Sequence, residues 1–189
     1  MMPPHGSHGV SRPGAFIVPR TPRAWRQAMR ACDAGRYERV APRVFLDRCR
    51  PPGLHYEVAL LALLRREVVV AGVTAVLLDG LSTANPGVIH VLGHRSERET
   101  RILGLPVRAS GDDLHTGVTS RRICGVRVRT VRLERALVDL VRCGDIDLVA
   151  DASVDIRASR HPLDVAWMEA YARRCGLADR LRAAWSRYV

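Results

Sequence analysis

Near the front of the chain, apolar residues recur with helical spacing. Trp25, Ala28, Met29 and Cys32 fall at i, i+3, i+4 and i+7 and make one apolar face. Arg23, Arg26, Gln27 and Arg30 lie on the other side. Thr21 is placed to cap the free N–H groups of the first turn, and Pro22 suits the first helical position. Gly35 suits the left-handed backbone that closes a helix. After it, Tyr37–Val40 and Val44–Leu46 read as two short strands joined by a tight Ala-Pro-Arg turn. Upstream, Ala15–Val18 reads as a strand or the stub of an earlier element. Met1–Gly14, rich in Pro, Gly, His and Ser, is expected to be a disordered tail.

Arg50-Pro51-Pro52-Gly53 is a strong breaker and predicts a domain boundary between a module over 15–50 and a second over 54–189. In the second module, Tyr56–Arg66 is expected as an apolar helix and Val68–Ala71 as a buried strand. Thr74 is expected to cap a helix running to Leu78, with Gly80 closing it. Val88–Leu92 and Pro106–Ala109 read as strands, and His94–Arg101 as a polar, charged segment. Ile123–Arg129 alternates as one strand, with Val126 and Val128 on one face and Arg127 and Arg129 on the other. Val131–Arg142 is the clearest helix, with a stripe of Val131, Ala136, Leu137, Leu140 and Val141. Asp145–Asp155, Leu163–Cys175 and Leu177–Tyr188 follow as helices. The expected class is α/β (α+β): an N-terminal winged helix-turn-helix, complete or abbreviated, then a small mixed α/β domain with a helical C-terminus.

Charge sharpens this picture. The net charge is +11, and all 30 basic residues are Arg. The lack of Lys points to coding bias, so not every Arg has a role. Their distribution says more. Residues 1–50 hold ten Arg against Asp33, Glu38 and Asp47, a net +7. Positive charge gathered on one short stretch is the footprint of a polyanion binder. An amphipathic helix followed at once by a basic ribbon is what a winged helix-turn-helix needs. Arg23, Arg26, Gln27 and Arg30 then face a major groove, where Arg pairs with guanine and Gln with adenine. Arg36, Arg39 and Arg43 on the ribbon rest on phosphates, which position the module without reading sequence. The plainer alternative is an ordinary amphipathic helix with a solvated basic face. A complete winged helix has two helices before its recognition helix, and residues before Thr21 leave little room for them. The module is therefore abbreviated, or the biological chain starts elsewhere.

Other chemistry finds little support. The five cysteines are widely spaced with no Cys-x-x-Cys pair, which reads as reduced thiols, mostly small core residues. Asp145-Ile146-Asp147 resembles the paired carboxylates of a nucleotidyltransferase, but the Gly-Ser phosphate-binding turn which that chemistry needs is missing upstream. Acids suiting a helix dipole are the better account. Asp151, Asp155 and Glu169 lack the acid-x-Lys of a Vsr-like nuclease. His90 and His94 fall in a strand context and read as lone surface histidines rather than metal ligands. Ser82, Ser110 and Ser120 sit in loops without a nucleophile elbow. The expectation is a non-enzyme with no metal and no cofactor. No signal peptide is visible, and no apolar run nears the ~20 residues a membrane span needs, so a soluble cytoplasmic protein is expected.

Several segments resemble one family. These are WRQAMRACDAGRYERVAPRVFL (25–46), VVVAGVTAVLLDGL (68–81), VIHVL (88–92), LPVRAS (105–110) and, above all, ICGVRVRTVRLERALVDLVRCGD (123–145). The last looks like a strand running into an "aRaLlDla" helix, here Glu134-Arg135-Ala136-Leu137-Val138-Asp139-Leu140. Together they are similar to the AbiEi-type antitoxins of type IV toxin–antitoxin systems. The chain departs from that pattern at Ala71-Gly72-Val73-Thr74, where the family often carries Ser-His-x-Ser, and at Thr130–Arg135, where it carries Thr-Pro-x-Arg-Thr. The resemblance implies a transcriptional regulator that holds double-stranded operator DNA and represses its own operon. It also implies that the second module counteracts a nucleotidyltransferase-like toxin, with or without stable contact. The alternative is a protein-interaction module with a degenerate winged helix and no specific DNA binding.

Overall fold

The computed structural model describes residues 10–11, 15–50, 55–81, 87–93, 99–102, 105–109 and 113–186. These residues form seven helices and two sheets, a mixed α/β protein as expected. The chain divides into two compact units: Met1–Ala59 with Arg122–Arg127, and Leu60–Arg121 with Val128–Val189.

The first unit is one helix on a small antiparallel sheet. Strands β1 (Val10–Ser11) and β2 (Phe16–Pro19) precede helix α1 (Pro22–Asp33), and β3 (Tyr37–Ala41) and β4 (Val44–Asp47) follow it. The sheet order is β1-β2-β4-β3. Local signals fix α1. The Thr21 hydroxyl accepts a hydrogen bond from the Ala24 N–H at 3.2 Å, and Pro22 opens the helix. Gly35 takes φ +71 just past the last turn. The ribbon turns at Pro42-Arg43, where Arg43 takes φ 60, and a register shift between Arg39 and Ala41 bends it. Ile17, Ala28, Tyr37 and Phe45 are buried together, with Trp25, Met29 and Cys32 packed against them. The edge of Trp25 meets Phe45 at 5.3 Å between ring centroids. Burying Phe45 alone stabilises this small core by about 2–3 kcal/mol. One helix, α1, stands between β2 and β3; the two helices that a complete winged helix sets before its recognition helix are not among the described residues. Of the tail expected over 1–14, Val10 and Ser11 form a strand, and residues 1–9 and 12–14 lie outside the described residues, as do 51–54 at the expected breaker.

Helix α2 (Tyr56–Leu64) is apolar apart from Glu57 in its first turn, and Val58–Ala62 are buried. The second unit is a six-stranded sheet followed by four helices. Its strands are β5 (Val69–Val70), β6 (Ile89–Leu92), β7 (Glu99–Ile102), β8 (Leu105–Ala109), β9 (Val118–Ile123) and β10 (Val126–Val131), ordered β7-β8-β6-β5-β10-β9. Helix α3 (Gly72–Leu78) links β5 to β6. Helices α4 (Leu133–Cys143), α5 (Ile146–Ser159), α6 (Val165–Arg174) and α7 (Ala178–Trp185) close the chain. Ala136, Leu137, Val138 and Val141 of α4 are wholly buried in the main core, beside Val149 and Ala152 of α5 and Ala172 of α6.

Several expectations are corrected here. The single strand over Ile123–Arg129 is a hairpin, because Cys124 and Gly125 both take positive φ, 48 and 80, as a two-residue hairpin turn requires. Val131 belongs to β10 rather than to the helix after it. Thr74 does not cap α3. Its hydroxyl sits within the helix and accepts from the His90 N–H at 2.9 Å, tying α3 to β6. The charged segment before Leu105 contains strand β7, which pairs antiparallel with β8.

Candidate nucleic-acid interface

All seven residues singled out as DNA contacts belong to the first unit, and every one is exposed. Arg23, Arg26, Gln27 and Arg30 lie on the side of α1 away from Ala24 and Ala28, the buried residues that seat the helix on the sheet. The i, i+3, i+4, i+7 spacing keeps them on one face. Arg36, Arg39 and Arg43 stand before, on and at the tip of the β3–β4 ribbon. Two of the three are preset by ring contacts. The Arg39 guanidinium lies 5.3 Å from the Trp25 ring centroid, and Arg36 lies 5.5 Å from that of Tyr37. Stacking uses the flat face of a guanidinium and leaves its edge N–H donors for a phosphate.

The electrostatics of this unit are one-sided. It holds twelve Arg against four acids, Asp33, Glu38, Asp47 and Glu57, a net +8. The second unit holds the remaining eighteen Arg against fifteen acids, a net +3. Of the four acids, Asp47 is buried and accepts from the Cys49 N–H at 3.1 Å, so it serves the turn after β4. Glu38 sits 3.6 Å from Arg48, with both side chains more than half exposed. Such a pair holds neither partner strongly.

Arginines of the second unit are engaged differently. Arg135 is fully buried, and its Nε donates to Asp139 Oδ2 at 3.1 Å. Asp139 also takes Arg142 at 3.1 Å and the Tyr171 hydroxyl at 3.4 Å. Arg132 pairs with Glu134 at 2.8 Å and Asp164 at 3.3 Å, and lies 4.6 Å from the Trp167 ring centroid. Burial pushes the Glu134 carboxyl up, but the Arg132 guanidinium and the Asp164 N–H together outweigh it and hold it below its ordinary value. Glu134–Leu140 is expected as part of a helix and as a family-like motif, with no role expected for Arg135 or Asp139. The signal for the ion pair was there: an Arg and an Asp four apart inside an otherwise apolar helix. Among the described residues, no buried side-chain nitrogen or oxygen lacks a partner.

The residues weighed for other chemistry are scattered. Asp145 precedes α5 and Asp147 lies in its first turn. Asp151 and Asp155 follow on α5, and Glu169 is on α6. His90 is buried, not on the surface as expected. It packs against the α3 start, where a Cβ on Gly72 would come within 3.2 Å of its Nδ1. Burial, with Arg108 adding to it, holds its pKa below the ordinary value. His94, Ser82 and Ser110 lie outside the described residues, and Ser120 is exposed on β9. The five thiols are free, and none is fully buried: Cys49 and Cys143 are exposed and the other three half-buried, a correction to their expected core role. Among the described residues, no three His, Cys, Asp or Glu side chains gather to hold a metal ion, and no helix is long and apolar enough to cross a membrane.

No protein-family model matches the chain, and no curated protein matches it. The likeness to AbiEi-type antitoxins thus rests on the residues quoted for it.

Proposed function

We propose that the protein is a DNA-binding transcriptional regulator of antitoxin type. Its α1 face and β3–β4 ribbon hold double-stranded operator DNA, and binding represses its own operon. The observation that carries this is the coincidence of exposure and charge. Seven contact residues on one helix and its adjoining ribbon all face solvent, in a unit of net +8. Arg26, Gln27 and Arg30 read base edges, while Arg36, Arg39 and Arg43 hold phosphates. The strand order supports this arrangement. β2 precedes the helix and pairs with β4, so the helix and the ribbon are carried by one sheet. The second unit, by its likeness to the AbiEi-type antitoxins, counteracts a cytoplasmic nucleotidyltransferase-type toxin encoded beside it. No catalytic step is assigned to this chain.

The single helix between β2 and β3 favours one rival: a degenerate winged helix that serves as a protein-interaction module. A gel shift with the DNA upstream of its own gene separates the two. Retardation that a random duplex does not compete away supports the regulator. Equal competition by any duplex, or no retardation, supports the rival.

A further inference from the structure

Helices α6 and α7 enclose an open cavity of about 80 Å³ within the second unit. Its residues on α6 recur at i, i+3, i+4, i+7 and i+8 from Val165, and those on α7 at i, i+3, i+4 and i+7 from Ala178, so each helix turns one face to it. Met168, Ala172 and Leu181 are buried and make an apolar floor. Val165, Glu169, Arg173 and Arg182 are exposed and make the rim. We infer that this groove is a contact between two copies of the chain, in which Val165 of each copy enters the groove of the other. The inference stands apart from the regulator reading, because it uses the second unit alone.

Size argues for an apolar side chain as the occupant. The cavity has about half the roughly 150 Å³ that takes a benzene ring, so it suits an aliphatic group of about three carbons. The side chain of Val165 is such a group. Among the described residues it is the most exposed large hydrophobic, at 49%. Single exposed apolar residues are ordinary on a protein surface. Val165 differs from Leu114 and Val154, the two others, because it borders a socket of its own size. A two-fold contact uses the same patch on both copies, so knob and socket must lie side by side on one surface. Here they do.

The charges of the rim point to the same occupant. Glu169 pairs with Arg173 at 3.5 Å, and both side chains are more than half exposed. Arg182 pairs with Asp179 at 2.9 Å, and these are more exposed still. Both pairs stay on their own helix, and solvated pairs of this kind hold their partners weakly. The rim therefore offers an acid on α6 and an arginine on α7 for contacts across an interface. A uniformly acidic partner meets Glu169, and a uniformly basic one meets Arg173 and Arg182. A second copy presents both signs. Its two-fold axis brings Glu169 of one copy to Arg182 of the other, and the reverse pair follows by symmetry.

The test is sedimentation equilibrium on the full chain, free of nucleic acid, over a range of concentrations. The apparent mass should rise from 20.9 kDa toward twice that value. Val165→Glu places a charge where the apolar socket must be filled and should weaken association by at least about ten-fold. Its melting temperature in dilute solution should hold, because Val165 is half exposed at the start of α6. Glu169→Arg and Arg182→Glu should each weaken association by about ten-fold, since each puts like charges together twice in a two-fold contact. The two reversals combined should restore most of it. A chain that stays at 20.9 kDa at every concentration overturns the inference and leaves the groove to a partner of another kind. A dimer indifferent to Val165→Glu also overturns it, because the contact then lies elsewhere. A doubly reversed variant no stronger than the single ones overturns the pairing of Glu169 with Arg182, and with it the two-fold arrangement.

Discussion

The same side chain does opposite work in the two units. Arg135 of the second unit is wholly buried and ion-paired to Asp139 on its own helix, one turn along. Arg26 and Arg30 of the first unit project into solvent from a helix whose only acid is Asp33, at its last position. A chain whose basic residues are all arginine therefore cannot be interpreted from their number. What separates a binding surface from a scaffold is whether carboxylates are near and whether the guanidinium is dry. A buried guanidinium must be paired, because an unpaired one carries a large desolvation penalty. A solvated one pays no such penalty and remains available for a phosphate or a base edge.

The contrast can be broken most forcefully at Asp139. Asp139→Ala leaves Arg135 buried without its carboxylate and should destabilise the second unit by about 3–5 kcal/mol, measured by urea unfolding. Arg26→Ala should change the stability of the first unit by less than about 0.5 kcal/mol. Similar losses from both variants would erase the distinction. A smaller effect sharpens the role of the first unit. Arg26→Ala and Arg30→Ala should each weaken binding to the upstream duplex by about 1–3 kcal/mol and leave random-duplex binding less affected, as titrations with both would reveal. Equal losses on the two duplexes would make them phosphate contacts. Smaller again is the cap of α1. Thr21→Ala should lower the stability of the first unit by about 1 kcal/mol, and Thr21→Asp should restore most of it. An unchanged melting curve for Thr21→Ala would show that packing alone sets the helix start.

The smallest expected effect is a pH dependence confined to the second unit. His90 is held neutral by burial and by Arg108, against a weaker pull from Asp145. Its folded pKa lies below the ordinary 6.5, so its contribution is full above that value and is lost as the pH falls through the folded pKa. Glu134 and Asp113 are also held below their ordinary values, but their contribution is lost only in the carboxylate range. Between about pH 5 and 7 the melting temperature should therefore fall on acidification, and His90→Gln should flatten that slope. A slope that survives the substitution assigns the effect to another group.

The parts legible in the sequence are those fixed by neighbours in the chain. Thr21, Pro22 and Gly35 mark α1, and the apolar spacing from Trp25 to Cys32 names its buried side; all four signals act within one or two turns. The β3–β4 ribbon was legible for the same reason, since Pro42 and the flanking alternation set its turn. The parts that were not legible depend on distant partners. The β9–β10 hairpin was read as one strand because its turn is Cys-Gly rather than the usual Asn-Gly, and alternation continues on both arms. Strand β7 exists through its pairing with β8, which outweighs a polar, charged composition. His90 looked like a surface residue because nothing local announces the α3 terminus packed over it. Thr74 has the residue type of a cap, but its hydroxyl serves β6 instead. The exposure of the seven expected contact residues was legible, since helical spacing sets Arg23, Arg26, Gln27 and Arg30 away from the buried Ala24 and Ala28.

The most direct measurement is the affinity of the full-length chain for the duplex upstream of its own gene as a function of salt. The account predicts a linear fall of log K with log salt, at about 0.9 per phosphate neutralised, with a residual preference over random DNA at every concentration. A flat salt response, or no binding at low salt, would contradict it.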